Sequence, residues 1–147
     1  MKINYPAVAA SAVAYWVLGA VWYSPLLFER PFIALKGWTP DEVAAVRASS
    51  HAGEIGAAFA VSLVTAYVLA HFVKFMGAET ARAGMVTGFW LWLGFVLTTN
   101  LSTVLFEGRP AGLYLINNGY HLVGLLGMGA LLAVWRRERG RVPAYQS

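Results

Sequence analysis

The sequence predicts an all-α fold: an integral membrane bundle of four transmembrane helices, with one short extra helix in the first loop. Three observations predict it. Of the 147 residues, 59% are hydrophobic and 12% charged, whereas soluble domains carry about 25% charged residues. The runs 3–28, 55–71 (reaching on to Lys74), 83–106 and 110–135 contain no Asp, Glu, Lys or Arg, and a helix needs about 20 mostly apolar residues to cross the hydrocarbon core. None of these runs shows the period-2 alternation of a strand, and an open strand cannot satisfy its backbone in lipid, so each is helical. The spans fall at about 4–24, 54–74, 83–107 and 112–135 of a single domain, with a first loop at 25–53 and a basic tail at 136–147.

Span one starts behind Lys2. Ala10-Ser11-Ala12 has the small residues of a signal cleavage site, but the apolar run continues past it to Trp22 and Tyr23, so the span is read as uncleaved. Ser24-Pro25 ends it, because proline cannot continue a helix, and Trp22 and Tyr23 anchor at the headgroups. No binding role is expected of Tyr23. Asn4, Ser11, Tyr15 and Trp22 share one face of this span.

In the first loop, Thr39-Pro40-Asp41-Glu42 supplies an N-cap Thr, Pro at the first helical position and Glu three residues after the cap. This capping box starts a short helix running to about Ser49. Leu26, Leu27, Phe28, Phe32, Ile33, Leu35 and Trp38 lay the preceding stretch along the lipid interface, with Trp38 a further anchor. The tail after Arg141 is short, polar and expected to fray.

Span two carries Glu54 at its outer end, Thr65 deeper on nearly the same face, and His71 near its inner end. Span three opens with Gly84 and Gly88, a Gly-x-x-x-Gly pair that implies a close helix contact, within the chain or between chains. Farther on, Thr99, Asn100, Thr103 and Glu107 fall within about 100° of one another and form a polar stripe. Span four places Tyr114, Asn117, Asn118 and His121 along neighbouring ridges, then Gly124 and Gly127, which admit another helix, and ends at the anchor Trp135.

Lys2, Lys74, Arg82, Arg136, Arg137, Arg139 and Arg141 put seven cations on one side, against four on the other, Arg30, Lys36, Arg47 and Arg109. The positive-inside rule then places both termini in the cytoplasm and the 25–53 loop outside, as expected of a multi-pass protein of a bacterial inner membrane.

The chain has no cysteine, which excludes disulfides, thiolate metal sites, iron–sulfur clusters and cysteine nucleophiles. It has no His-Glu-x-x-His, Gly-x-Ser-x-Gly or Walker-type glycine loop, so no catalytic residue and no metal ligand is assigned. His71 and His121 differ in depth by about 10 Å, which argues against a shared haem, and no cofactor is expected. The basic residues flank the membrane and the aromatics lie inside the spans, so no nucleic-acid partner is expected. The expected partners are the lipid bilayer and either further copies of this chain or a larger membrane complex.

In this topology Glu54, Asn100, Thr103, Glu107, Asn117, Asn118 and His121 lie in the outer half and form a candidate pocket that binds or passes a small solute or ion. The two carboxylates stand at its mouth and His121 is its proton-responsive group. The same side chains equally suit hydrogen-bonding between helices, worth about 0.6–2 kcal/mol each. Two other functions stay open. One is an accessory or stabilising subunit packing against another membrane protein. The other, less expected, is an enzyme acting on a lipid or quinone headgroup, with Glu107 and His121 as acid and base.

Trp22-Tyr23-Ser24-Pro25-Leu26-Leu27-Phe28, following Gly19-Ala20, is joined by Gly88-Phe89-Trp90-Leu91-Trp92-Leu93-Gly94-Phe95, Phe106-Glu107 and the 117–121 segment. Together they resemble the bacterial membrane family catalogued as domain of unknown function 1761, over nearly the whole chain. The resemblance implies a small four-span membrane protein and supplies no mechanism. That family often has Gly after the residue matching Phe28, where this chain has Glu29.

Overall fold

The computed structural model describes residues 2–138, and of residues 136–138 the backbone alone. Arg139, Arg141 and the tail expected to fray lie outside the described residues, as do the side chains of Arg136 and Arg137. Six helices form the described chain: α1 (Tyr5–Trp22), α2 (Glu29–Lys36), α3 (Pro40–Ala48), α4 (Ala52–Phe75), α5 (Ala81–Leu105) and α6 (Ala111–Glu138). Among the described residues there is no strand. By length and composition α1, α4, α5 and the 111–135 part of α6 can each cross a membrane, and the chain is a membrane protein.

Local chemistry sets the boundaries. The Asn4 side chain accepts from the Ala7 N–H at the start of α1 (3.4 Å), and the Ser24 hydroxyl donates to the Val21 carbonyl where Pro25 stops it (2.6 Å). The capping box at Thr39 is formed in both directions, Thr39 N–H to Glu42 at 2.7 Å and Glu42 N–H to Thr39 Oγ1 at 3.3 Å. The first loop holds two helices where the sequence predicted one. Residues 29–36 coil as α2 because Glu29 and Lys36 complement the two ends of its dipole, and Gly37 closes it at a φ of 70°, open to glycine at little cost.

α6 is the centre of the bundle, touching α5 on one side and α1 and α4 on the other, while α1 and α4 pack on each other. The core gathers at the end that carries the N-terminus: Ala7 and Ala12 of α1, Ala66, Leu69 and Val73 of α4, Leu125, Met128 and Ala133 of α6. Mostly small residues let the helices close here, and α5 meets α6 backbone to backbone. A Cβ built on Gly84 would run into the Gly129 carbonyl, and one on Gly88 into the Leu125 carbonyl. The Gly84–Gly88 pair therefore serves a contact within the chain. Gly124 lies under the Tyr15 ring, whereas Gly127 faces open space.

Toward the opposite end bulky rings pack between the helices, Trp22 against Gly119 and Tyr120 against Gly19. The Trp22 indole donates to the Ile116 carbonyl (3.0 Å) and the Trp92 indole to the Asn118 carbonyl (2.8 Å), so two tryptophans grip α6 from α1 and α5. Trp22 is thus a bundle contact as well as a candidate interface residue, and Trp135 packs half-buried on the core. α5 carries a π-helical stretch at Trp92–Leu97 that the sequence reading did not anticipate. Leu101 N–H turns to the Thr98 carbonyl (3.3 Å), and the Leu97 carbonyl receives the Tyr114 hydroxyl of α6 instead (2.6 Å). Such bulges free backbone groups for outside partners.

Candidate functional site

The open half of the bundle encloses a cleft of about 1060 Å³ between the loop helices α2 and α3 and the facing ends of α5 and α6. Small-molecule sites commonly span about 300–1,000 Å³. Six of the seven predicted pocket residues line it: Asn100 and Thr103 from α5, Glu107 just beyond it, and Asn117, Asn118 and His121 from α6. Glu54 does not. Its carboxylate turns to His51 Nδ1 (2.7 Å) and is largely exposed at the start of α4, because a charge at a helix N-terminus finds water and a local partner more cheaply than a desolvated cleft.

The polar groups divide into those already engaged and those facing the cleft. Asn118 is buried at 2% exposure. Its Oδ1 accepts from Asn100 Nδ2 (3.1 Å), and its Nδ2 donates to the Tyr114 carbonyl (2.8 Å). It ties α5 to α6 and is the hydrogen-bonding glue of the alternative reading. Ser62, Thr87 and Thr98 donate to carbonyls four residues back in their own helices, at 2.9, 3.0 and 2.7 Å, so their hydroxyls bridge no helices. Thr103 likewise donates to the Asn100 carbonyl (2.7 Å).

Asn117 and His121 sit one turn apart on the same face of α6. Asn117 Oδ1 accepts from the Tyr23 hydroxyl (2.7 Å), and His121 Nδ1 lies 2.5 Å from the Tyr15 hydroxyl. Tyr23, expected only to anchor, lines the cleft and holds a floor residue. Tyr15 stacks on Tyr120 with centroids 4.8 Å apart, and the Tyr120 hydroxyl reaches the Tyr15 carbonyl (3.2 Å). The sequence reading put Tyr15 on the polar face of span one but did not assign it to the site. Tyr120 carried no signal, because a tyrosine beside a predicted site residue points about 100° away from it.

At the rim Glu29 pairs with Arg47, joining α2 to α3, and Glu107 pairs with Arg109 at 2.9 Å. Glu107 therefore stands at the mouth in an ion pair while His121 stands on the floor. Lys36 lies over the rings of Phe32 and Trp38, 5.4 and 5.5 Å from their centroids, so Trp38 shapes the cleft wall. His71 bonds the Tyr67 carbonyl of its own helix (2.9 Å) and does not join His121. Among the described residues no three His, Asp or Glu side chains come together as a metal site.

The model of the family described as "Protein of unknown function (DUF1761)" matches residues 6–133. No curated protein and no solved structure matches the chain.

Proposed function

The chain belongs to the DUF1761 family, and on that premise we propose that it is a membrane protein that binds a small polar solute in the cleft between its loop helices and α5–α6. The supporting observation is the floor. Asn117 and His121 are fixed by Tyr23 and Tyr15 and remain half-exposed toward the cleft, the arrangement of groups positioned for a ligand. Binding is favoured over passage because the bundle closes beneath them. Tyr15 is 5% exposed, and Ala12, Leu69, Leu125 and Met128 fill the space below. Lys2, Lys74, Arg82 and the backbone of Arg136 and Arg137 lie at the end of the bundle away from the cleft, and together with the sequence's seven flanking cations against four this supports a cleft opening outside the cytoplasm of a bacterial inner membrane, with both termini inside.

A second function, that of an accessory subunit, is favoured most by α5, the least buried of the four spans. Only 6% of its spanning window is buried, and Phe89, Trp90 and Phe95 are exposed along it. Native mass spectrometry of the protein released gently from its own membrane separates the two. The expected result is a specific small-molecule adduct that disappears in Asn117→Leu, with a melting temperature lowered by no more than the roughly 2–4 °C of one lost hydrogen bond. An adduct-free chain bound in fixed ratio to another membrane protein would replace solute binding with the subunit role.

A further inference from the structure

We propose that the solute is an anion, a phosphate or carboxylate carried on a compact apolar body, held between hydrogen-bond donors on the cleft floor and Lys36 at its rim; the inference deepens the binding function and rests on it. The hydrogen-bond arithmetic of the floor comes first. Tyr15 is buried, and its hydroxyl bonds His121 Nδ1 at 2.5 Å, with the Tyr120 hydroxyl as a second neighbour. A phenol O–H is a stronger donor than an imidazole N–H, and an imidazole nitrogen a stronger acceptor than a phenol oxygen, so at this short contact Tyr15 donates to Nδ1. With Nδ1 accepting, the neutral imidazole carries its proton on Nε2. Asn117 spends its Oδ1 on Tyr23, and among the described residues its Nδ2 has no acceptor. The two groups left to meet a ligand are therefore both N–H donors, one turn apart on α6. They suit the oxygens of an oxyanion, and a ligand presenting only donors would leave them unmatched.

The rim points the same way independently. Two carboxylates and three cations line the cleft. Glu29 is paired with Arg47 and Glu107 with Arg109, which leaves one cation over. Lys36 has no carboxylate partner among the described residues and rests on aromatic faces. A cationic ligand would find no unpaired carboxylate in this lining. An anionic one would find a cation beside the apolar side chains of Phe32, Ile33, Leu35 and Leu113, which accommodate a ring or short chain. A charge-assisted contact at Lys36 is roughly twice as strong as a neutral one.

Calorimetric titration of the full chain in zwitterionic nanodiscs tests this with three probes of similar size: phenyl phosphate, phenyl β-glucoside and phenyltrimethylammonium. Phenyl phosphate is expected to bind the most tightly of the three. Lys36→Met, which removes the last-turn charge of α2 at an exposed site at a small cost in stability, should weaken it about tenfold, and Lys36→Arg, which keeps that charge, should restore it. The glucoside should be indifferent to both changes. Replacing part of the lipid by phosphatidylglycerol distinguishes sources of the same chemistry. If the natural ligand is a lipid headgroup, that lipid competes and the apparent affinity of phenyl phosphate falls in the unmodified chain but not in Lys36→Met. If the ligand is a free solute, the affinity is unchanged. Glucoside binding equal to that of phenyl phosphate, with no effect of Lys36→Met, would overturn the anion assignment and leave the cleft a binding site. Heat from none of the probes would reject the anion and the solute-binding function together.

Discussion

The Tyr15 hydroxyl meets Nδ1 of His121 at 2.5 Å, joining α1 to α6 where the packed half of the bundle gives way to the open half. Below this contact the residues are mostly apolar and tightly fitted, with Ser11, Ser62 and Thr87 buried among them. Above it the helices are held apart by rings and amides. The pair joins the cleft lining, to which His121 belongs, to the core, to which Tyr15 belongs.

Tyr15→Phe keeps the ring that stacks on Tyr120 and covers Gly124 and removes only the donor to His121. The expected cost is about 1–3 kcal/mol, the price of leaving a buried polar group unmatched, together with weaker solute binding because the imidazole proton is no longer held on Nε2. Thermal unfolding in mild detergent, with ligand titration on the same samples, checks both. An unchanged melting temperature would remove this contact from the account.

The glycines of α5 and α6 should respond unequally. Gly84→Ala drives a methyl group into the Gly129 backbone and should destabilise by about 1–3 kcal/mol or more. Gly127→Ala meets open space and should be neutral or slightly stabilising, since alanine is the better helix former. Unfolding in mixed micelles compares them, and equal losses would contradict the packing. Loss of a partner in Gly88→Leu would report misfolding, because that glycine is occupied by its own chain.

His51 joins the loop helices to α4. Its imidazole bonds the Val46 carbonyl at 2.6 Å and Glu54 at 2.7 Å, and these two contacts, the backbone one foremost, raise its pKa above the ordinary 6.5. A raised value means the protonated ring is favoured in the fold. The restraint is fully present below about pH 6.5 and fades as pH rises through the elevated value. A spin label at Ser50→Cys should become more mobile over that rise, and Glu54→Gln should diminish the change. Mobility independent of pH would exclude the coupling. The site is exposed, so the effect is local.

Tyr114→Phe removes the donor to the Leu97 carbonyl. It should destabilise by about 1 kcal/mol and speed amide exchange in the π-helical stretch Trp92–Leu97 of α5. Exchange rates matching those of the unmodified chain would show that the stretch holds itself.

The four spans were legible because the cost of a charge in hydrocarbon leaves a plain mark on sequence, and the helix at Pro40 was legible because a capping box is local. Asn100, Asn117 and His121 could be grouped from helical phase and from their depth in the topology that the flanking cations suggest. What phase could not show was which polar groups were already spent. Asn118 and Asn117 are neighbours of the same type, yet one is sealed between two helices and the other faces the cleft, a distinction made by Asn100 and Tyr23 across gaps of 18 and 94 residues. Glu54 was misgrouped because depth along a helix says nothing of a closer partner such as His51. The π-helical stretch was hidden because the hydroxyl that takes up its Leu97 carbonyl, that of Tyr114, lies on another helix.

The central claim is a cleft open to water that ends blindly at Tyr15 and His121, and the absence of native cysteine makes its depth directly measurable. Single cysteines at Asn117 and Met128 would be treated with a membrane-impermeant thiol reagent from each side of sealed vesicles. The expected result is modification of Asn117→Cys from one side only and of Met128→Cys from neither. Reaction of Met128→Cys from the same side as Asn117→Cys would mean a continuous path through the bundle, and protection of both would mean that the cleft is closed to water.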